Sequence, residues 1–205
     1  MLLPMDQTGI EVKPIKLISG NSPFNQVFLN DALAARDDLV GALNRGWTVG
    51  KRLLQHERSG MDQLLRDGTS SGSSNLAAIA KNYLGETEGK IADSSMRNSV
   101  LDHDMTLRSL NLTKRRVMEE SADGGTPGPA TSIFKVMSTD LEKIHYDLAT
   151  SLKGLQGFGW SGDSFSDSEL EDLRQLLSSR AASIYSGSNE IQRNIIAKRV
   201  LGLPD

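Results

Sequence analysis

A helical repeat of apolar residues runs through the second half of the chain. Apolar side chains recur at steps of three and four between residues 94 and 120, and a similar stripe follows between residues 133 and 152. Shorter helices are predicted over 76–84, 169–180 and 189–201, and another begins near Trp47. Several amphipathic helices joined by short loops favour an antiparallel bundle. The two predicted core stripes are Met96, Val100, Leu107, Leu110 and Val117 in the first helix, and Ile133, Met137, Leu141, Ile144, Leu148 and Leu152 in the second.

The first 40 residues have a different pattern. Residues 9–15 alternate polar and apolar side chains after a glycine, and residues 26–29 form a second short apolar run between turn residues. Two or three strands make a poor sheet alone, because they leave open edges. The sequence therefore predicts a mainly α protein, in which a four-helix-type bundle over 41–205 follows a small remnant of a β-domain over 1–40.

Composition excludes several classes of function. The formal net charge of −3 does not indicate binding to nucleic acid. The chain has no cysteine, which excludes disulfides, thiolate metal sites and cysteine nucleophiles. No apolar run suggests a membrane span or a signal peptide, so we expect a cytoplasmic protein.

Two short motifs could carry chemistry, and both favour ordinary structural interpretations. Residues 157–162 match the glycine spacing of a dinucleotide-binding loop, but a predicted helix precedes them where that motif requires a strand. Glu142 and His145 form a Glu-x-x-His pair, but the chain lacks the second pair that a di-iron bundle needs. We therefore predict a glycine turn, a polar flank beside the core stripe at Glu142 and His145, and no metal site.

The last 20 residues carry a family resemblance. Residues 185–204, YSGSNEIQRNIIAKRVLGLP, closely resemble the C-terminal signature of acyl-CoA dehydrogenases, and shorter segments at 9–15, 24–28, 44–47 and 57–58 follow in the family's order. The resemblance implies FAD-dependent α,β-dehydrogenation of an acyl-CoA thioester to the 2-enoyl-CoA. It also implies a truncated C-terminal portion, comprising the end of the middle β-domain and the helical bundle, which we expect to be inactive alone and to bind FAD only in a full-length context.

The resemblance leaves the catalytic base open. In many members a glutamate base precedes the glycine of the signature, and here that position is Ser186. A serine hydroxyl is not a base near neutral pH without help. Some members place the base on the first bundle helix, and Glu57 matches that location, so Glu57 is the alternative base.

Binding residues follow from the same resemblance. Arg58 matches a position near the acyl-CoA, and Gly187 matches a glycine that contacts substrate. Ser188, Asn189 and Glu190 match the segment that contacts FAD. An Arg-x-x-Phe-Gly element expected after the first bundle helix is missing from the sequence.

The family also implies partners. We expect a homo- or hetero-oligomer, in the form of a dimer of dimers, and an electron-transfer flavoprotein as a possible electron acceptor. The alternative is a non-catalytic paralogous subunit or fragment that provides an oligomerisation interface, which Ser186 and the missing β-strands favour.

Overall fold

The computed structural model describes residues 1–53, 75–121 and 131–204. The chain divides into two compact units, Met1–Ser71 and Gly72–Asp205. Helices dominate and the described sheets are two small antiparallel pairs, which confirms the predicted mainly α class. The predicted domain boundary after residue 40 stays a prediction.

The first unit contains an antiparallel hairpin. Strand β1 (Ile10–Ile15) pairs with β2 (Phe24–Leu29), so the two predicted strands are confirmed. At the end of the hairpin opposite its turn, the Gly9 carbonyl accepts a 2.7 Å hydrogen bond from the Asn30 amide. Gly9 has φ 95°, and a Cβ there would lie 2.0 Å from the Asn30 carbonyl oxygen, so only glycine fits. Helix α1 is described over residues 46–53.

The second unit is built around one central helix. Its elements are α2 (Leu76–Leu84), β3 (Glu86–Thr87), β4 (Lys90–Ile91), α3 (Ser94–Ser121), α4 (Thr131–Leu152), α5 (Asp167–Ser179) and α6 (Asn189–Ile195). Helix α4 is the central one and packs against α2, α3, α5 and α6, and the short hairpin of β3 and β4 connects α2 to α3. Helix α6 continues into a π-helical turn, Ile196–Val200.

The core contains two residues of the predicted α3 stripe, Val100 and Leu110, whereas Met96, Leu107 and Val117 are half-buried. Val100 and Leu110 are each 2% exposed, and the gaps between the apolar residues are filled by His103 and Lys114, both buried. The α3 stripe therefore includes two polar side chains that an apolar pattern cannot reveal. The core cluster of the second unit joins three helices and β4 through Leu76, Ala80, Ile91, Val100, Ala149 and Leu152.

The predicted stripe of α4 is wrong at one position. Ile144 is 47% exposed, whereas its neighbour His145 is 6% exposed. The His145 ring lies 5.4 Å from that of His103, centroid to centroid, so the prediction that His145 belongs to a polar flank is also wrong. Because α4 has helices on several sides, one stripe does not describe its buried surface.

The glycine turn after α4 is confirmed. The motif at 157–162 follows α4 and lies partly in a 3₁₀ turn, Gly154–Phe158. A Cβ at Gly157 would lie 2.3 Å from the Thr150 carbonyl oxygen, and a Cβ at Gly159 would lie 2.3 Å from the Phe165 ring. These glycines therefore permit close packing of the turn, which accounts for the spacing without a nucleotide.

Candidate functional site

The candidate site is the signature loop, residues 181–188, which connects α5 to α6. Ser186 and Gly187 are exposed and both adopt left-handed backbone conformations, with φ 55° and 87°. A Cβ at Gly187 would lie 2.8 Å from the Gln192 side-chain nitrogen. Ser188 then occupies the N-cap position of α6. The left-handed pair reverses the chain just before α6, and it leaves the Ser186 side chain accessible.

Asn189 fastens the end of the loop. Its backbone amide donates to the Ser183 carbonyl at 2.9 Å. Its side chain is 2% exposed, and its amide nitrogen donates to Thr139 Oγ1 at 3.0 Å and to Asp140 Oδ1 at 3.3 Å. The side chain of Asn189 therefore ties α6 and the loop to α4.

Lys135 contacts the beginning of the loop. Its ammonium nitrogen donates to the Ala182 carbonyl at 2.6 Å and lies 5.1 Å from the centroid of the Tyr185 ring. Burial lowers the pKa of Lys135, while the nearby Glu142 carboxylate opposes that shift. Burial raises the pKa of Glu142 in turn, and the positive charge of Lys135 opposes it.

Charged groups surround the first turn of α6. The Asp140 carboxylate lies 2.9 Å from Lys143 Nζ and 3.5 Å from Arg193, so the α4–α6 contact includes a small ionic network. Glu190 is exposed, and its pKa is lowered by the backbone amide of Glu190 itself and by the Ser188 hydroxyl. Glu190 therefore places a negative charge beside the signature loop.

The structure brings together five of the predicted site residues. Ser186, Gly187, Ser188, Asn189 and Glu190 form one continuous run, in which the side chain of Asn189 is buried and the others are partly or fully accessible. The remaining two, Glu57 and Arg58, lie outside the described residues. Their roles, and those of the five residues in the loop, stay predictions.

Sequence reasoning missed the part of the site that α4 contributes. Lys135 and Thr139 are one turn apart and contact opposite ends of the loop. The sequence did contain a signal for this contact, because two polar residues one turn apart on a helix predicted to be buried indicate a polar contact on that side of the helix. Within the described ranges, no group of three or more histidine, aspartate or glutamate residues could hold a metal ion. No helix in the same ranges is long and apolar enough to cross a membrane.

Comparison with known proteins identifies the family. The family model described as acyl-CoA dehydrogenase, C-terminal domain, matches residues 44–201. The acyl-CoA dehydrogenase IpdE1 of Mycolicibacterium smegmatis is 32% identical over 206 residues, a match that covers 100% of this chain and 48% of the relative. This chain thus spans about half the length of that relative.

Solved structures share the fold. The ChsE4–ChsE5 complex from Mycobacterium tuberculosis matches with a TM-score of 0.73 at 19% identity, over 99% of this chain and 52% of the matched chain. PigA with FAD and proline matches with a TM-score of 0.64 at 21% identity, over 97% of this chain and 50% of the other. The predicted resemblance is confirmed: this chain belongs to the acyl-CoA dehydrogenase family.

Proposed function

We propose that this chain forms the C-terminal helical part of an FAD-dependent acyl-CoA dehydrogenase, which converts an acyl-CoA thioester into the 2-enoyl-CoA. The signature loop carries the proposal, because an accessible left-handed turn at Ser186 and Gly187 stands directly before α6 in a helical unit of this family. Since the chain spans about half of its relatives, the proposed activity includes contributions from protein outside this sequence.

The reaction requires a base for the α-proton of the substrate. Ser186 stands in the family's usual base position, and its hydroxyl cannot accept a proton near neutral pH without help. We therefore assign the base to the carboxylate of Glu57, which takes the α-proton as the β-hydrogen leaves as a hydride. Arg58 and Gly187 are assigned to the acyl-CoA.

FAD, when bound, accepts that hydride. Some residues of the loop are accessible to a flavin, and others are already engaged in contacts within the protein. Ser188 is half-exposed, and its hydroxyl contacts the Glu190 carboxylate, whereas the side chain of Asn189 is engaged with Thr139. The negative charge of Glu190 favours contact with uncharged parts of the flavin over its phosphates. We therefore assign flavin contacts to Ser188 and to the backbone of the loop, and a supporting role to Asn189.

The test combines flavin binding with turnover of acyl-CoA thioesters of different chain lengths, using an artificial electron acceptor. In an active preparation, Glu57→Gln is expected to lower kcat by about 100-fold or more, because a positioned general base contributes roughly 10² to 10⁴. Glu119→Gln, which changes an exposed carboxylate on α3, is the matched control and should retain full activity. Undiminished turnover in Glu57→Gln would exclude Glu57 as the base.

A second candidate function is a non-catalytic subunit, and Ser186 is the observation that favours it. A glutamate at this position would pay a left-handed backbone penalty similar to that of serine, about 1–2 kcal/mol, so Ser186→Glu should leave the fold intact. Flavin-dependent turnover that appears only in Ser186→Glu would support the non-catalytic assignment for the natural chain. Turnover in the natural chain would refute it.

Oligomerisation is part of the proposal under either function. Helix α3 exposes apolar side chains at four- and seven-residue steps, Leu101, Met105 and Leu112, which are 50%, 66% and 58% exposed. The ChsE4–ChsE5 complex, which shares this fold with a TM-score of 0.73, contains two named subunits. We propose a homo- or hetero-oligomer, such as a dimer of dimers, which light scattering would detect, and an electron-transfer flavoprotein as the acceptor.

A further inference from the structure

The signature loop is fastened at both ends to one face of α4. At its start, the Ala182 carbonyl accepts a hydrogen bond from Lys135, and just after its end Asn189 is bonded to Thr139. Lys135 and Thr139 are four residues apart, so they lie on the same side of the helix. The left-handed residue Ser186 lies between these two attachments.

The attachment at Lys135 joins a cation to the turn that follows α5. Helix α5 ends at Ser179, so Ala182 lies three residues beyond it, in a turn where the Ala182 amide donates to the Ser179 carbonyl. Ala182 is 1% exposed, and the donor to its carbonyl is the ammonium group of Lys135, at 2.6 Å. A hydrogen bond from a charged donor is stronger than one between neutral groups, so this contact holds the buried start of the loop.

The same ammonium group also restrains the side chain of the loop's tyrosine. Lys135 Nζ lies 5.1 Å from the centroid of the Tyr185 ring, within the range of a cation–π interaction. Tyr185 directly precedes Ser186, so one cation contacts the loop on the near side of the left-handed turn through both backbone and ring. By contrast, the Lys143 ammonium group, two turns further along α4, pairs with the Asp140 carboxylate at 2.9 Å.

We propose that Lys135 is a positioning residue, which holds the signature loop in the conformation that presents Ser186 and Gly187. The consequence for catalysis rests on the proposed function, whereas the consequence for the loop does not. Lys135 acts through the Ala182 carbonyl and the Tyr185 ring, and it need not touch substrate or flavin.

Amide hydrogen exchange on the 205-residue chain tests the positioning role without any flavin. The amides of Ile184 and Tyr185 donate to the Ala181 carbonyl, and the amide of Asn189 donates to the Ser183 carbonyl. Hydrogen exchange at these three amides therefore reports opening of the loop. Loss of a hydrogen bond from a charged donor should raise these exchange rates by about 10-fold or more in Lys135→Met. Lys135→Arg, which keeps the charge, should restore most of the protection.

Lys143→Met is the matched control, because it removes another partly buried lysine from the same helix. It should leave exchange at Ile184 and Tyr185 within about twofold of the natural chain, since Lys143 pairs with Asp140, whose link to the loop is through Asn189, after the left-handed turn. A lysine that only stabilises the bundle would raise exchange throughout α3 and α4. Unchanged exchange of the loop amides in Lys135→Met, or a uniform rise across the bundle, would overturn the proposal.

Activity gives a second readout that separates this inference from the proposed function. In an active, flavin-loaded preparation, Lys135→Met should lower kcat/KM by about 10-fold, in line with the loss of loop order, and Glu119→Gln on the exposed surface of α3 should not. Unchanged kcat/KM in Lys135→Met would refute the catalytic consequence. If the natural protein proves inactive, the proposed function fails, and the exchange measurement alone decides the positioning role.

Discussion

Replacing Asn189 with alanine tests how strongly α6 is fastened to α4. Asn189 is the first residue of α6 and is 2% exposed. Its side-chain amide donates to Thr139 Oγ1 at 3.0 Å and to the Asp140 carboxylate at 3.3 Å. Asn189→Ala removes both hydrogen bonds, together with the one that the Thr139 hydroxyl donates to Asn189 Oδ1 at 3.2 Å. It keeps the backbone amide, which still donates to the Ser183 carbonyl.

The size of the effect follows from what the two partners retain. The Thr139 hydroxyl can still donate to the Lys135 carbonyl at 2.9 Å, and Asp140 keeps Lys143 at 2.9 Å and Arg193 at 3.5 Å. Neither partner is left buried without a bond, so the larger penalty of an unpaired group does not arise. The Thr139 hydroxyl has one proton, which the Lys135 carbonyl can accept in place of Asn189 Oδ1. The loss is therefore one neutral hydrogen bond, about 1 kcal/mol, and one to a charged group, about 1.5–3 kcal/mol. We therefore expect unfolding free energy to fall by about 2–4 kcal/mol.

Urea unfolding followed by far-UV circular dichroism measures this loss, because the second unit contributes helices α2 to α6. Asn194→Ala, on the same helix at an exposed position, is the control and should change stability by less than about 0.5 kcal/mol. A cycle with Thr139→Val should show coupling of about 0.5–3 kcal/mol. A loss below 1 kcal/mol, equal losses for Asn189→Ala and Asn194→Ala, or strict additivity in the cycle would refute the reasoning.

Three further changes probe other contacts of the second unit. Burial lowers the pKa of His145 from its usual 6.5, so just below that pH the unfolded chain binds more protons than the folded chain. The free energy of unfolding should therefore fall as pH drops, and the fall in Tm from pH 7 to about 5.5 should be smaller in His145→Gln. The Tyr83 hydroxyl donates to the Glu169 carboxylate at 2.5 Å and contributes most to lowering the pKa of Glu169 to about 2. Tyr83→Phe should therefore cost about 1–3 kcal/mol at neutral pH in urea unfolding, and the deficit should shrink as pH falls from 4.5 toward 2. Gly159→Ala should cost about 1–3 kcal/mol by the same measurement, because its Cβ would meet the Phe165 ring at 2.3 Å, and Phe165→Ala in the same chain should reduce that cost.

The helices were predictable where one face alone is buried. The bounds of α2 match the predicted range, and in α3 the predicted stripe is buried at Val100 and Leu110 and half-buried at its other positions. In α4 the period fails at Ile144 and His145, because neighbouring helices cover several sides of that helix. A burial pattern that surrounds the helix axis does not produce a single stripe of apolar residues.

Turns that contain two left-handed residues were also not predictable from the sequence. The hairpin of β3 and β4 was not predicted, although Glu88 and Gly89 provide φ 51° and 79°, the combination that a tight hairpin turn needs. Glutamate is an unusual residue in that conformation, so the turn signal was weak. At the signature loop, the left-handed conformation falls on Ser186, and serine is not a residue whose presence predicts that conformation.

The hydrogen bonds that hold the signature loop are independent of the side chain at the family's usual base position. Lys135 and Asn189 fasten the loop through the Ala182 carbonyl, the Ser183 carbonyl and the side chain of Thr139. None of these contacts involves the side chain of residue 186, which is exposed. A chain of this family can therefore lose the carboxylate at that position and still keep the loop in place. The position of the loop is therefore independent of the side chain at residue 186, so the proposed base, Glu57, requires no carboxylate there to keep the loop in place.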